Sequence, residues 1–284
     1  MKTVGVVSPG AMGSAVAAAL VRGGARVVST VAGRSKRTVR LAGDGGIELL
    51  SDLGAVAREA EVVLSIVPPE AAPSVAADVA RAATEQGVSP LLADLNAVAP
   101  ATVRGLAKLG LDLVDGSISG PPPRRAGRTR LYISGPRAEE IAALPFEGVD
   151  LIVVGPDVGP ASAVKMSTAS VYKGTTAVLA QALLAARENG VLEHVLGDLR
   201  TAAPELVANV ERRLALATTK ASRYVGEMRE IARTQESAGL TSELFDGIAE
   251  VYELLAKAPL AQSSPEDVPR EPELAEVLQR LRRP

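Results

Sequence analysis

Cysteine is absent from this chain, and histidine occurs once, at His194. Without cysteine there are no disulfides, no thiolate nucleophiles and no Cys-ligated metals. With one histidine a His-rich metal site is excluded, and any Ser-His-Asp triad would have to use His194. No metal site is therefore expected. Aromatic residues make up 2% of the sequence, too few for a base-stacking surface. Charge of one sign is lacking too: 31 basic residues face 33 acidic ones, a net of -2, so nucleic acid is not an expected partner. Long apolar runs are missing as well. No uncharged apolar stretch approaches the ~18 residues that a membrane span needs. The run Val4 to Val7 is too short for a signal-peptide core and meets a glycine turn at once. The expectation is a cytoplasmic protein with no membrane partner.

What the chain has in quantity is apolar residues, 47% of the total, enough for a sizeable core across 284 residues. That length suits two domains. Residues 3–7 (TVGVV) read as a fully buried strand, 14–22 as an Ala-rich helix and 25–31 as a second strand. Alternation continues with a helix at 53–59, a strand at 61–67, a helix at 70–86, a strand at 91–95 and a helix at 100–109. Strands alternating with helices predict a parallel sheet covered on both faces. From about residue 111 the stretches LDLVDGSIS, RLYIS and DLIVV read as edge strands of that sheet. Strand signals then stop. One long helical pattern covers 161–187, Asn189-Gly190 ends it, and further helices are expected at 204–217, 219–238 and 241–257. Residues 259–272, rich in Pro, Ser and charge, read as a tail, with a last short helix at 273–282. The fold class is α/β: a doubly wound parallel sheet of Rossmann type over residues 1–158, then an all-α domain over 159–284.

The first turn carries the chemistry. Ser8, Pro9, Gly10, Ala11, Met12 and Gly13 join the first strand to the first helix. A dinucleotide site needs glycine there for a tight turn, for close approach of backbone to pyrophosphate and for helix–strand packing. The helix N-terminus then offers N–H groups and a positive dipole to the phosphates. Gly10 and Gly13 fill the second and third glycine positions, and Ser8 stands where the first is usual. The end of the second strand chooses between cofactors. NAD sites place a carboxylate there for the ribose 2′-hydroxyl. This chain has no acid between Arg26 and Gly43 and offers Gly33-Arg34-Ser35-Lys36-Arg37 instead. Arg34 and Ser35 are suited to a 2′-phosphate, so NADP(H) is expected over NAD(H).

VGVVSPGAMGSA, LSIVPP, ADLNAVAP, DGSISGPPPRRAG, VGPASAVKMSTA and SRYVGEMREIA follow one another in this order. With them the chain resembles the β-hydroxyacid dehydrogenase and 6-phosphogluconate dehydrogenase superfamily, in a subgroup with a little-characterised helical C-terminal domain. The resemblance implies an oxidoreductase in which a lysine of the long helix exchanges a proton with the substrate. Lys165, six residues after Gly159, matches that lysine. It implies that Ser119 and Gly120 hold a substrate carboxylate, with Pro121 where many members have another glycine. It further implies that Val67, Pro68 and Asn96 line the cofactor and that the helical domain forms a homodimer. The family's asparagine about a turn after the lysine is missing: Thr168, assigned to substrate binding, and Ala169 stand there.

Helical spacing brings Ala169, Tyr172 and Lys173 near the face of Lys165, at offsets of four, seven and eight. Tyr172 and Lys173 are thus candidate additional proton donors, with Lys165 and Ser119 as the principal catalytic residues. Arg124, Arg125, Arg128 and Arg130 form a basic loop after the Ser-Gly pair, and Glu227 and Glu230 read as a surface helix pair. The expected activity is hydride transfer between NADP(H) and a small carbonyl or hydroxy substrate bearing a carboxylate. The alternatives are reduction of a C=N bond and a non-catalytic nucleotide-binding protein.

Overall fold

The structure, a computed structural model, describes residues 2–123 and 128–281. Arg124 and Arg125 of the basic loop lie outside the described residues. The chain divides into two compact units, Met1–Met166 and Ser167–Pro284.

The first unit is built on an eight-stranded sheet of order β3-β2-β1-β4-β5-β6-β7-β8. The strands are β1 (Thr3–Val7), β2 (Arg26–Ser29), β3 (Glu48–Leu49), β4 (Val62–Ser65), β5 (Leu91–Asp94), β6 (Leu113–Ser119), β7 (Thr129–Ser134) and β8 (Val149–Gly155). From β3 to β6 all pairs are parallel. The β6–β7 pair is antiparallel, as the short β6–β7 connection requires, and β7–β8 is parallel again. The helices of this unit are α1 (Ala11–Arg22), α2 (Lys36–Asp44), α3 (Leu53–Glu59), α4 (Ala72–Gln86), α5 (Pro100–Leu106) and α6 (Ala138–Ala142). Alternate strand residues bury on opposite faces. Val4, Val6 and Leu64 pack with Val16 and Leu20 of α1. Val7, Val28 and Val63 pack with Val56 of α3 and Ala76 and Val79 of α4. The sequence reading of a doubly wound sheet is borne out. It missed α2, β3 and α6, which are short, or polar on most of their surface.

α7 (Pro160–Glu188) begins in the first unit and runs on into the second. The second unit adds α8 (Leu192–Ala202), α9 (Pro204–Val207), α10 (Val210–Thr218), α11 (Ala221–Ser237), α12 (Glu243–Ala256) and α13 (Leu274–Arg280). His194 is exposed on α8. Tyr252 of α12 is fully buried and meets Tyr224 of α11 edge to face, ring centroids 5.3 Å apart. Among the described residues no helix is long and apolar enough to cross a membrane.

One carboxylate fastens the start of α7 to the sheet. Asp115, in the middle of β6, is fully buried. Its Oδ2 accepts from Gly159 N–H at 3.0 Å, Ser162 N–H at 3.0 Å and Ser134 Oγ at 2.9 Å. Its Oδ1 accepts from Ser162 Oγ at 2.6 Å. Ser134 Oγ in turn accepts from Ala161 N–H, and Ser117 Oγ donates to Ala161 carbonyl oxygen. The orphan donors at the N-terminus of α7 are thereby met by side chains of β6 and β7. Removing a buried carboxylate with this many partners leaves buried donors unmet. Asp115→Ala is expected to cost about 3 kcal/mol of stability, read as a fall in the urea midpoint with the slope unchanged.

Candidate functional site

The carboxyl ends of β1, β4, β5 and β6 lie side by side in the sheet, and the sheet order reverses between β1 and β4. Ligands of open α/β sheets bind outside such strand ends, at the reversal. Ser8–Gly13, Val67–Pro68, Asn96 and Ser119–Gly120 each follow or end one of these strands. The topology therefore gathers most of the sequence-predicted site onto one edge of the first unit.

The turn after β1 has the shape that a pyrophosphate needs. Ser8 adopts φ +66, the left-handed region that glycine usually fills. Gly10 N–H donates to Ser8 carbonyl oxygen at 2.7 Å, closing the turn. Gly10 caps α1 without any side-chain hydrogen bond, and a Cβ built on it meets nothing within 4 Å. Open space thus lies in front of a helix N-terminus whose first-turn N–H groups have no partner inside the helix. A Cβ on Gly13 would sit 2.6 Å from Ser8 carbonyl oxygen, so α1 approaches β1 this closely only with glycine there. Ser14 Oγ donates to Pro9 carbonyl oxygen at 2.5 Å and holds the far side of the turn. These residues fit a dinucleotide.

The basic segment after β2 is more ordered than a loop. Ser35 is the N-cap of α2, its Oγ accepting from Thr38 N–H at 3.3 Å. Its Oγ also lies 3.2 Å from Thr38 Oγ1, and Arg34 beside it is exposed. Arg26, by contrast, is held by Glu48 and Glu59, which raise its pKa further above the ordinary arginine value.

Asn96 is buried, and its amide is taken up by the protein. Its Oδ1 accepts from Val67 N–H at 2.6 Å, and its Nδ2 donates to Ser65 Oγ at 3.1 Å and Asp94 Oδ2 at 2.7 Å. Asn96 ties the end of β5 to the end of β4. It sets the backbone at Val67 and Pro68, and its donors are spent inside the protein.

Lys165 lies one turn beyond the pinned start of α7. Its Nζ donates to Ile118 carbonyl oxygen at 2.7 Å, directly before Ser119. Gly120 follows with φ +104, and a Cβ there would run into the Arg128 carbonyl oxygen. Glycine is obligatory at that corner. Pro121 carbonyl oxygen accepts from Thr129 Oγ1 at 2.7 Å. The half-buried ammonium of Lys165 and the Ser119–Gly120 corner thus form one group. Asp115 was missed as part of this arrangement. Its signal was present, since a lone acid in the strand LVDGSIS needs partners to be buried.

Two expectations from the sequence are corrected. Lys165, Ala169, Tyr172 and Lys173 do not share one environment. Ala169 is buried, Tyr172 is 73% exposed, and Lys173 Nζ is ion-paired with Glu227 of α11 and sits 4.2 Å from the Tyr224 ring centroid. The seven- and eight-residue offsets carry Tyr172 and Lys173 two turns along α7, into surroundings set by α11 and α12. Glu227 and Glu230 are not a surface pair: they are 3% and 6% exposed. Glu227 is buried between Lys173 and Arg223, and Glu230 binds Arg233 at 2.5 Å. Thr168, three residues after Lys165, is exposed in the second unit.

Comparisons with known proteins agree with this layout. Residues 3–90 match the family described as NADP oxidoreductase, coenzyme F420-dependent, and residues 186–255 match a domain of unknown function, DUF1932. An uncharacterised 28.5 kDa protein of Methanothermus fervidus is 28% identical over 173 residues, 60% of this chain. The match spans 65% of that relative's length. A solved protein of unknown function, described as structurally similar to 3-hydroxyacid dehydrogenases, is 29% identical over 89% of this chain and 96% of its own, with TM-score 0.66. The 3-hydroxyisobutyrate dehydrogenase of Mycobacterium tuberculosis is 19% identical over 99% of both chains, TM-score 0.69. An imine reductase of Myxococcus stipitatus, solved with NADP+, is 19% identical over 99% of this chain and 100% of its own, TM-score 0.57. Two family models thus match separate stretches of the chain, and its fold is that of the 3-hydroxyacid dehydrogenases. The resemblance read from the sequence is borne out.

The tight contact at Gly13 gives a direct check. Gly13→Ala is expected to weaken dinucleotide binding about tenfold or more and to cost about 2 kcal/mol of stability. Fluorescence titration and chemical unfolding of the same variant measure the two effects.

Proposed function

We propose that this chain is an NADP(H)-dependent oxidoreductase acting on a small carbonyl or hydroxy substrate that bears a carboxylate. The observation that carries the reading is the Lys165 ammonium held against Ile118 carbonyl oxygen, beside Ser119 and Gly120, on the sheet edge that also bears the Ser8–Gly13 turn. Ser8, Pro9, Gly10, Ala11, Met12 and Gly13 hold the pyrophosphate, with the N–H groups of the first turn of α1 directed at it. Arg34 and Ser35 hold the 2′-phosphate, the guanidinium pairing with two of its oxygens. Val67 and Pro68, set in place by Asn96, line the nucleotide. When bound, the nicotinamide supplies or accepts the hydride.

Lys165 exchanges the proton. In reduction its Nζ gives a proton to the oxygen that becomes the hydroxyl, and in oxidation it takes that proton back. Ser119 donates its hydroxyl to the substrate carboxylate. Gly120 and Pro121 shape the corner, and Thr168 completes the substrate contacts. The task of the pinned α7 is to hold the ammonium near its place before substrate arrives. Residues 1–158 are the cofactor-binding domain of this enzyme, and 159–284 are its substrate and dimerisation domain.

A second reading, reduction of a C=N bond, is favoured by one feature. Thr168 and Ala169 stand where hydroxyacid dehydrogenases of the resembling family carry an asparagine. The helical domain is assigned to a homodimer because Val171, Tyr172 and Val178 leave an apolar strip of α7 exposed. Cytoplasmic action fits a cysteine-free chain that uses a nicotinamide nucleotide.

The test is NADPH oxidation with a panel of keto acids, aldehydes and cyclic imines. Turnover of a keto acid is expected, turnover of imines alone would establish the second reading, and no turnover of any member would overturn both. Lys165→Ala is expected to lower turnover about a hundredfold with the cofactor affinity retained. NADPH is expected to bind at least about tenfold tighter than NADH, and Arg34→Ser to remove most of the difference. Sedimentation should give twice the mass of one chain.

A further inference from the structure

The second unit contains a cavity of about 820 Å³ that takes no part in the proposed chemistry, although Tyr172 of the exposed strip is among its lining residues. It is lined by Lys173 of α7, Arg212 and Arg213 of α10, Tyr224 of α11, and Arg270 and Glu271 of the segment before α13. Elements far apart in the sequence thus bring four cations to one space, against one lining carboxylate. Glu227, a buried acid beside Lys173, is already shared by Lys173 and Arg223. Neither Arg212 nor Arg270 has an ion pair among the described residues. Arg213 donates from Nη2 to Leu206 carbonyl oxygen, but its Nε is buried without any partner. Such a group costs free energy until something accepts from it.

The surroundings sharpen the imbalance. Burial lowers the Arg213 pKa. Lys220, at the start of α11, is held below the ordinary lysine range, first by burial and then by Arg223 and Arg212, with Glu266 pulling the other way. Arg223 and Arg212 thus add to what burial does to Lys220, in keeping with the surplus of cations around the cavity. One wall is aromatic: Tyr224 carries Lys173 over its face and touches Tyr252 at its edge. The volume falls in the range of small-molecule pockets and exceeds what a bare inorganic ion fills.

We propose that this cavity is a binding site for a small phosphate-bearing molecule, its anion held by Arg212, Arg213 and Arg270 and its body lying against Tyr224. Guanidinium groups match phosphate oxygens in pairs, and three of them converge here. The anion offsets the repulsion among the cations.

The probe is inorganic pyrophosphate, titrated calorimetrically into the full chain. The double variant Arg212→Ser/Arg270→Ser changes only exposed side chains, so its unfolding temperature is expected to stay near that of the parent. Its pyrophosphate affinity is expected to fall about tenfold or more. Gly13→Ala, which disturbs the turn assigned to the cofactor pyrophosphate, is expected to leave this binding in place. Unchanged affinity in the double variant would overturn the proposal. So would binding lost only in Gly13→Ala, which would assign the anion to the nucleotide turn, or binding that vanishes as the protein dimerises, which would give the cavity to a second copy.

Discussion

A buried carboxylate that accepts four hydrogen bonds does two jobs at once. It satisfies donors at a helix start that would otherwise be stranded, and it fixes where that helix begins. Asp115 plays this part for α7, and the position of Lys165 follows from it. The ammonium lies three residues beyond Ser162, so its reach is set by a strand residue and not by a mobile loop. Gly159, with φ +126, makes the sharp entry into the helix, and the Arg104 guanidinium lies against it in place of a side chain. A side chain mounted on a helix pinned by a strand is held with little freedom to move, which suits the proton transfer proposed for Lys165.

The same economy governs the other strand ends. Asn96 uses its amide to join β4 to β5, and Ser29 uses its hydroxyl on Val6 carbonyl oxygen to join β2 to β1. Polar side chains at the carboxyl ends of these strands therefore shape the crevice first. What they leave open for a ligand is largely backbone: the first turn of α1 and the corner at Gly120. Recognition by backbone is tolerant of side-chain change, which is one physical reason that a fold can persist across the low identities reported above.

Much of the first unit was legible in the sequence because its signals are local. Apolar strand runs, a glycine turn and the Ser-Gly pair can each be read within a dozen residues. α2 was hidden because the same residues, Arg34 to Arg37, suit a phosphate site and a helix start equally well, and Ser35 does serve as the cap. Lys165 was legible because it stands six residues after Gly159, the spacing of the lysine in the resembling family. The fate of Lys173 was not, since its partner Glu227 lies 54 residues away and no periodicity within α7 reveals it. Glu227 and Glu230 misled for the same reason. A helix face rich in charge looks solvated until the cations that bury it are placed beside it.

Ser8 holds a backbone angle that L-residues other than Asn and Asp seldom adopt, at a cost on the order of 1 kcal/mol. The position therefore selects for conformation and not for a letter. Glycine, serine and asparagine are admissible there, while branched side chains such as valine are shut out. A search that demands glycine at the first place of the phosphate turn would pass over this chain. One that asks for a left-handed residue after the first strand, followed by a glycine whose Cβ would strike that residue's carbonyl, would find it.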